Sequence, residues 1–165
     1  MQRLIVQIYE VQTPAEAERL IGLGVDHIGS VIISEDNWRQ SSLKETIRTS
    51  QASDCKSSLI PLYNHLDTVL RTLDYYQPDI VHFCEALVGH DSLWDFCDQL
   101  IHLQACVKSN FPQIQIMRSI PIAQPGCDDG VPTMDFAKQF APASDFFLTD
   151  TYLAKPAGNA ESSQP

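Results

Sequence analysis

With 165 residues, 44% of them hydrophobic and 19% charged, the chain is long enough for one domain with a core of its own. A formal net charge of −10 excludes general nucleic-acid binding, which needs a cationic surface to meet phosphates. No apolar stretch is long enough to span a bilayer, and "MQRLIVQIYE" lacks the apolar centre of a secretory leader. The default expectation is therefore a cytoplasmic location with no membrane partner.

The elements follow in order. "RLIVQIY" reads as a first strand. Thr13, Pro14 and Glu16 then form the start signal of a helix, a capping box with proline at the first helical position, and Gly24 stands where a closing glycine is expected. A second strand is "HIGSVII", and a second capping box from Ser42 to Glu45 opens "SLKETIRTS". "SSLIPLY" is the third strand and "LDTVLRTLDYY" its helix. "DIVHFC" is the fourth, followed from about Asp91 to Lys108 by a helix with Leu93, Trp94, Cys97, Leu100, Ile101 and Val107 on an apolar stripe. "QIQIMRSI" is the fifth strand, "TMDFAKQF" a weaker helix and "SDFFLTD" the sixth strand.

Strand and helix alternate six times, which means a parallel sheet with right-handed crossovers. No G-x-G-x-x-G follows a strand, so a dinucleotide-binding open sheet has no support. Gln7, His82, Arg118 and Asp150 fall within or at the ends of strands, as inward side chains of a barrel do. The expected fold class is therefore α/β of (β/α)8 TIM-barrel type, with about six β/α units over residues 1–152. Residues 153–165 form a polar tail, read as loop or disorder. Six strands leave two open edges, and self-association through them is expected.

The five cysteines, Cys55, Cys84, Cys97, Cys106 and Cys127, are odd in number and contain no C-x-x-C pair, so neither a disulfide framework nor a zinc site is expected. Cys97 and Cys106 read as buried thiols. His82 and Cys84 share one face of the fourth strand, and His90 follows. Two ligands on one strand do not make a metal site, and the simpler reading is a satisfied interior histidine beside a buried thiol.

Taken together, six segments carry a resemblance. "VQIYEVQTPAEAERLIGLGVDHIGSVI", "NWRQSS", "PLYN", "DIVHFCE", "IMRSIPI" and "FFLTDTY" follow one another in order over nearly the whole chain. In this order they resemble the phosphoribosylanthranilate isomerases of tryptophan biosynthesis. The resemblance implies an aldose–ketose (Amadori) isomerisation of a small phosphorylated ribosyl amine, by acid–base chemistry without a cofactor. It places the general acid on Asp150, in a setting where apolar surroundings would keep a proton available. It places the general base on Tyr9, where the family has cysteine, and a carboxylate-binding arginine on Arg39. Arg118 matches a family lysine and is read as a substrate-binding or barrel-interior charge, paired with an acid such as Asp150.

Tyr9 and Glu10 depart from the family pattern. A phenol is a poorer base than a thiol at neutral pH, so Glu10 is a candidate substitute base. Strand alternation sends neighbours to opposite faces, so both point inward only if the strand has ended. Tyr9 is expected inward, filling the mouth. Two other readings stand beside the isomerase: a non-catalytic barrel segment that binds a small anionic ligand or a partner chain, and a related enzyme with a changed substrate.

Overall fold

The computed structural model describes residues 4–126 and 130–153; Cys127 and the tail beyond Leu153 lie outside them. Six strands, β1 (Gln7–Ile8), β2 (His27–Ile32), β3 (Lys56–Pro61), β4 (Ile80–Phe83), β5 (Gln115–Ile122) and β6 (Phe146–Thr151), form one sheet in sequence order. Every pairing is parallel. The connections carry α1 (Pro14–Gly22), α2 (Ser41–Gln51), α3 (Leu66–Tyr76), α4 (Leu93–Asn110) and α5 (Thr133–Phe140). A doubly wound sheet would reverse its strand order part-way. Here the order runs straight through and the sheet curls, so that Tyr9 beyond β1 touches His82 on β4 and Met117 on β5. The fold is a six-stranded, curled part of a (β/α) barrel.

Helix and strand bounds follow from local chemistry. Thr13 caps α1 through both bonds of a capping box, and Gly24 adopts φ +83, as a closing glycine can. The second expected box does not form: α2 begins one residue earlier, Gln40 precedes it, and no side chain caps it. Ser42 lies inside the first turn, where its carbonyl accepts from Thr46 Oγ1. β1 is shorter than "RLIVQIY": regular pairing with β2 covers only Gln7 and Ile8, and Glu10, at φ 61, breaks the extended run just beyond Tyr9. Pairing with β2 then resumes without regular strand geometry. Val11 N donates to the Gly29 carbonyl, and the Gln12 amide both donates to and accepts from the backbone of Val31.

Three aspartates clamp the amino ends of the strands. Asp26, Asp79 and Asp145 each precede an even-numbered strand, and each carboxylate accepts a backbone N–H from the strand before: Val6, Ser57 and Ile116 respectively. The helix-facing side of the sheet holds the core. Ile32, Leu59, Val81, Phe83 and Ile116 pack on Leu43, Ile47, Val69, Leu73 and Leu103 from the helices. A second cluster gathers Ile120 with Cys97, Leu100, Phe136 and Phe140. Cys97 is buried as expected, but Cys106 is partly exposed, its thiol 3.6 Å from His102 Nε2 on the outer side of α4.

The edges are apolar. Leu4, Ile5, Val6 and Ile8 are exposed along β1, and Phe147 and Leu153 along and just after β6. Among the described residues no helix is long and apolar enough to cross a membrane.

Candidate functional site at the carboxyl ends of the strands

The concave face of the sheet is lined by alternate residues. His27, Gly29 and Val31 on β2 align with Lys56, Ser58 and Ile60 on β3, and His82 on β4 aligns with Met117 on β5. Ser119 and Leu148 form the next row, then Pro121 and Asp150. At the carboxyl end this face opens into a cavity of about 410 Å³, lined by Tyr9, Glu10, Val31, Ile60, Leu62, His82, Cys84, Ser119, Leu148 and Asp150. A second cavity of about 300 Å³ adjoins it and shares Cys84 and Asp150.

Tyr9 points inward, as expected, and bridges the interior from β1 to β4–β5. Its ring lies 5.7 Å from that of His82, and its hydroxyl reaches Met117 Sδ at 4.0 Å. Gly29 makes room for it: a Cβ there would lie 3.0 Å from Tyr9 Cδ1 and 3.2 Å from the Ile8 carbonyl oxygen. A glycine inside "HIGSVII" is the sequence signal of such a close approach. Glu10 also lines the cavity. The strand has ended before it, and its left-handed backbone turns it toward the mouth instead of the helix layer.

The protonation states narrow the chemistry. Burial first, then the nearby Cys84 and Asp150, push the Tyr9 phenol up from its ordinary value. Burial, then Glu85, pushes the Cys84 thiol up, with Arg118 opposing. Neither supplies a base near neutral pH. Burial, followed by the Arg118 charge, lowers His82 to about 4, so its imidazole is neutral at pH 7. The groups left for proton transfer are the carboxylates of Glu10 and Asp150.

Asp150 stands at the mouth as the sixth strand predicts, but it is exposed, without the apolar enclosure expected around a general acid. Arg39 is not brought to the cavity. It is exposed outside the sheet, its guanidinium 4.7 Å from the ring centre of Tyr75 on α3. Arg118 faces the helices, not the interior, and its acid is Glu85, not Asp150. Its Nη1 donates to Glu85 Oε2 at 2.5 Å and its Nε to Gln104 Oε1 at 2.7 Å. The faces of Phe83 and Phe140 enclose it. It is fully buried, and no substrate reaches it in this arrangement. The strand period explains this: Ile116, Arg118 and Ile120 share the outward face, while Met117 and Ser119 share the inward one. Gln104, buried at i+4 from Leu100 in the stripe of α4, is the sequence trace of that buried charge. His90 bonds the Ala86 carbonyl and stacks on Phe96, away from His82.

No lysine or arginine among the described residues lines the main cavity. Ser119, not singled out by its sequence, lies within it and bonds His82 at 2.8 Å.

No family model matches the sequence, and no curated protein matches it. Solved structures do resemble it. N-(5'-phosphoribosyl)anthranilate isomerase from Pyrococcus furiosus superposes with a TM-score of 0.61 at 13% identity, over 90% of this chain and 68% of that one. The phosphoribosyl anthranilate isomerase of Thermotoga maritima gives 0.53 at 14% identity, over 97% and 67%. The spore cortex-lytic enzyme SleL of Bacillus cereus gives 0.63 at 11% identity, over 90% of this chain and 42% of that one. The chain thus spans about two thirds of the isomerase chains and less than half of the cortex-lytic enzyme. At these identities the likeness is one of fold, shared by isomerases and by enzymes of other names.

Proposed function

We propose that the mouth of this curled sheet is an acid–base site for a small, uncharged polyhydroxylated carbonyl compound, related in form to the aldose–ketose isomerase barrels. One observation carries the reading: Glu10 and Asp150 line a single cavity with His82 and Ser119, and no cationic side chain among the described residues joins them. An isomerisation of this kind moves a proton between neighbouring carbons, which a carboxylate can take and return. Asp150 retains the position that the resemblance assigns to the general acid. Arg39 and Arg118, the cations that the resemblance would bring to a phosphorylated or carboxylated substrate, are both held elsewhere, and Arg19 lines a neighbouring pocket with Tyr9 and Glu10, not this cavity. The substrate class therefore shifts from a phosphorylated ribosyl amine to an uncharged relative.

The test is a turnover assay of the full chain on phosphoribosylanthranilate and on unphosphorylated pentoses, followed by loss of anthranilate-type fluorescence and by aldose–ketose interconversion. Pentose interconversion is expected, with a fall of roughly 10²–10⁴-fold in Asp150→Asn. Turnover of phosphoribosylanthranilate would restore the family's own substrate. Activity on neither would leave the non-catalytic reading, which the exposed apolar edges of β1 and β6 favour, and pentose turnover undiminished in the variant would remove Asp150 as the acid.

A further inference from the structure

We propose that His82 and Ser119 form an oxygen-holding pair at the floor of the cavity, with the Ser119 hydroxyl donating to His82 Nε2 and His82 Nδ1–H presented to a carbonyl oxygen of the ligand. This rests on the reading of the cavity as a site for an uncharged carbonyl compound. His82 is 4% exposed, lines the cavity and holds Ser119 Oγ at 2.8 Å through Nε2. Its Nδ1 is buried and has no hydrogen-bond partner among the described residues. The expected satisfied interior histidine is therefore satisfied on one side only. A buried polar atom left unpaired is costly, and native structures seldom keep one without a use.

The neutral imidazole carries one proton on two nitrogens. If Nε2 held it, Nδ1 would be a buried lone pair that no donor among the described residues reaches. Ser119 accommodates the Nδ1–H tautomer, because its hydroxyl can turn to donate to Nε2. Nδ1–H is then a donor held in place on a side chain that is itself buried. A neutral imidazole so placed can polarise a carbonyl as negative charge gathers on its oxygen. His82 forms no covalent bond to the ligand and neither gains nor loses a proton. Proton transfer belongs to Glu10 and Asp150.

The same concave face holds another buried atom without a partner among the described residues, Ser58 Oγ, in the row beside Gly29. The interior is thus polar beside Gly29 as well as at His82.

The experiment is long-range ¹H–¹⁵N NMR of the full chain with ¹⁵N-labelled histidine, at pH 7, first alone and then with D-ribulose or ribitol, the latter lacking the carbonyl. His82 is expected as the Nδ1–H tautomer, and an Nε2–H tautomer overturns the proposal. D-Ribulose is expected to shift the His82 Nδ1 resonance, and ribitol to leave it unmoved. If D-ribulose moves the backbone amides of Glu10 and Asp150 but not His82, the pair has no such role while the cavity reading stands. If it moves none of them, the cavity reading falls and this inference with it. Ser119→Ala, which retains the fold's packing, is expected to lose the tautomer preference and weaken D-ribulose binding about fivefold. An unchanged tautomer and affinity would overturn the part assigned to Ser119.

Discussion

At the scale of single residues, the mouth of the sheet is governed by Tyr9 and the glycine that admits it. Gly29→Ala places a methyl 3.0 Å from Tyr9 Cδ1 and 3.2 Å from a backbone oxygen. A loss of about 1–3 kcal/mol is expected by urea denaturation. Adding Tyr9→Leu should recover part of it, since one of the two clashes is with that ring; a strictly additive pair of losses would show that the ring is not what Gly29 accommodates. His82 offers a second test. Its folded pKa of about 4 lies below the ordinary 6.5, so the unfolded chain takes up a proton first. Its contribution is fully present above pH 6.5 and is lost as the pH falls from there through 4, by about 3 kcal/mol in all. His27, lowered mainly by burial, acts in the same direction. His82→Gln is expected to flatten the stability profile in that window. A profile as steep as the parent's would remove His82 as its cause.

At the scale of elements, two caps that look alike in the sequence behave differently. Thr13 and Glu16 exchange both bonds of the capping box around α1, whereas Ser42 makes no cap because α2 has already begun. Thr13→Ala is therefore expected to cost about 1 kcal/mol and Ser42→Ala close to nothing, as read by thermal or urea unfolding. Equal losses would contradict the helix start at Ser41. α1 was legible because Pro14 fixes the first turn and leaves no register to choose. α2 has no such marker, and burial of Leu43, Thr46, Ile47 and Ser50 set its phase instead. α3 and α5 match their sequence patterns residue for residue, because each carries an uninterrupted amphipathic period. β1 could not be bounded from its apolar run, since that run includes Leu4, Ile5 and Val6 whereas regular pairing with β2 covers only Gln7 and Ile8; the left-handed turn at Glu10, which glycine or asparagine would have signalled and glutamate does not, closes only its carboxyl side.

At the scale of the whole molecule, the six-stranded sheet leaves β1 and β6 each paired on one side only among the described residues. Both margins expose large apolar side chains, Ile5 at 57% and Phe147 at 42% among them. Unpaired, apolar strand edges promote association. We propose that self-association runs through them. Ile5→Lys combined with Phe147→Lys is expected to shift sedimentation at high protein concentration toward the monomer. Boundaries that sediment as the parent's do would place any association elsewhere.

The order of elements, the parallel sheet, the barrel type and the inward turn of Tyr9 all follow from local chemistry: caps, turn residues, and the periods of 2 and 3.6 by which side chains choose a face. Those signals act over a few residues, and the chain states them directly. Which acid meets Arg118, where Arg39 rests and what lies beside His82 depend on contacts between residues far apart in the chain, such as Arg118 with Glu85 and His82 with Ser119. A buried charge takes whichever partner the packed layers bring within reach, since leaving it unpaired costs several kcal/mol on the order expected for buried ions. The curl of the sheet made that selection, and with it the cavity's uncharged floor and acidic rim.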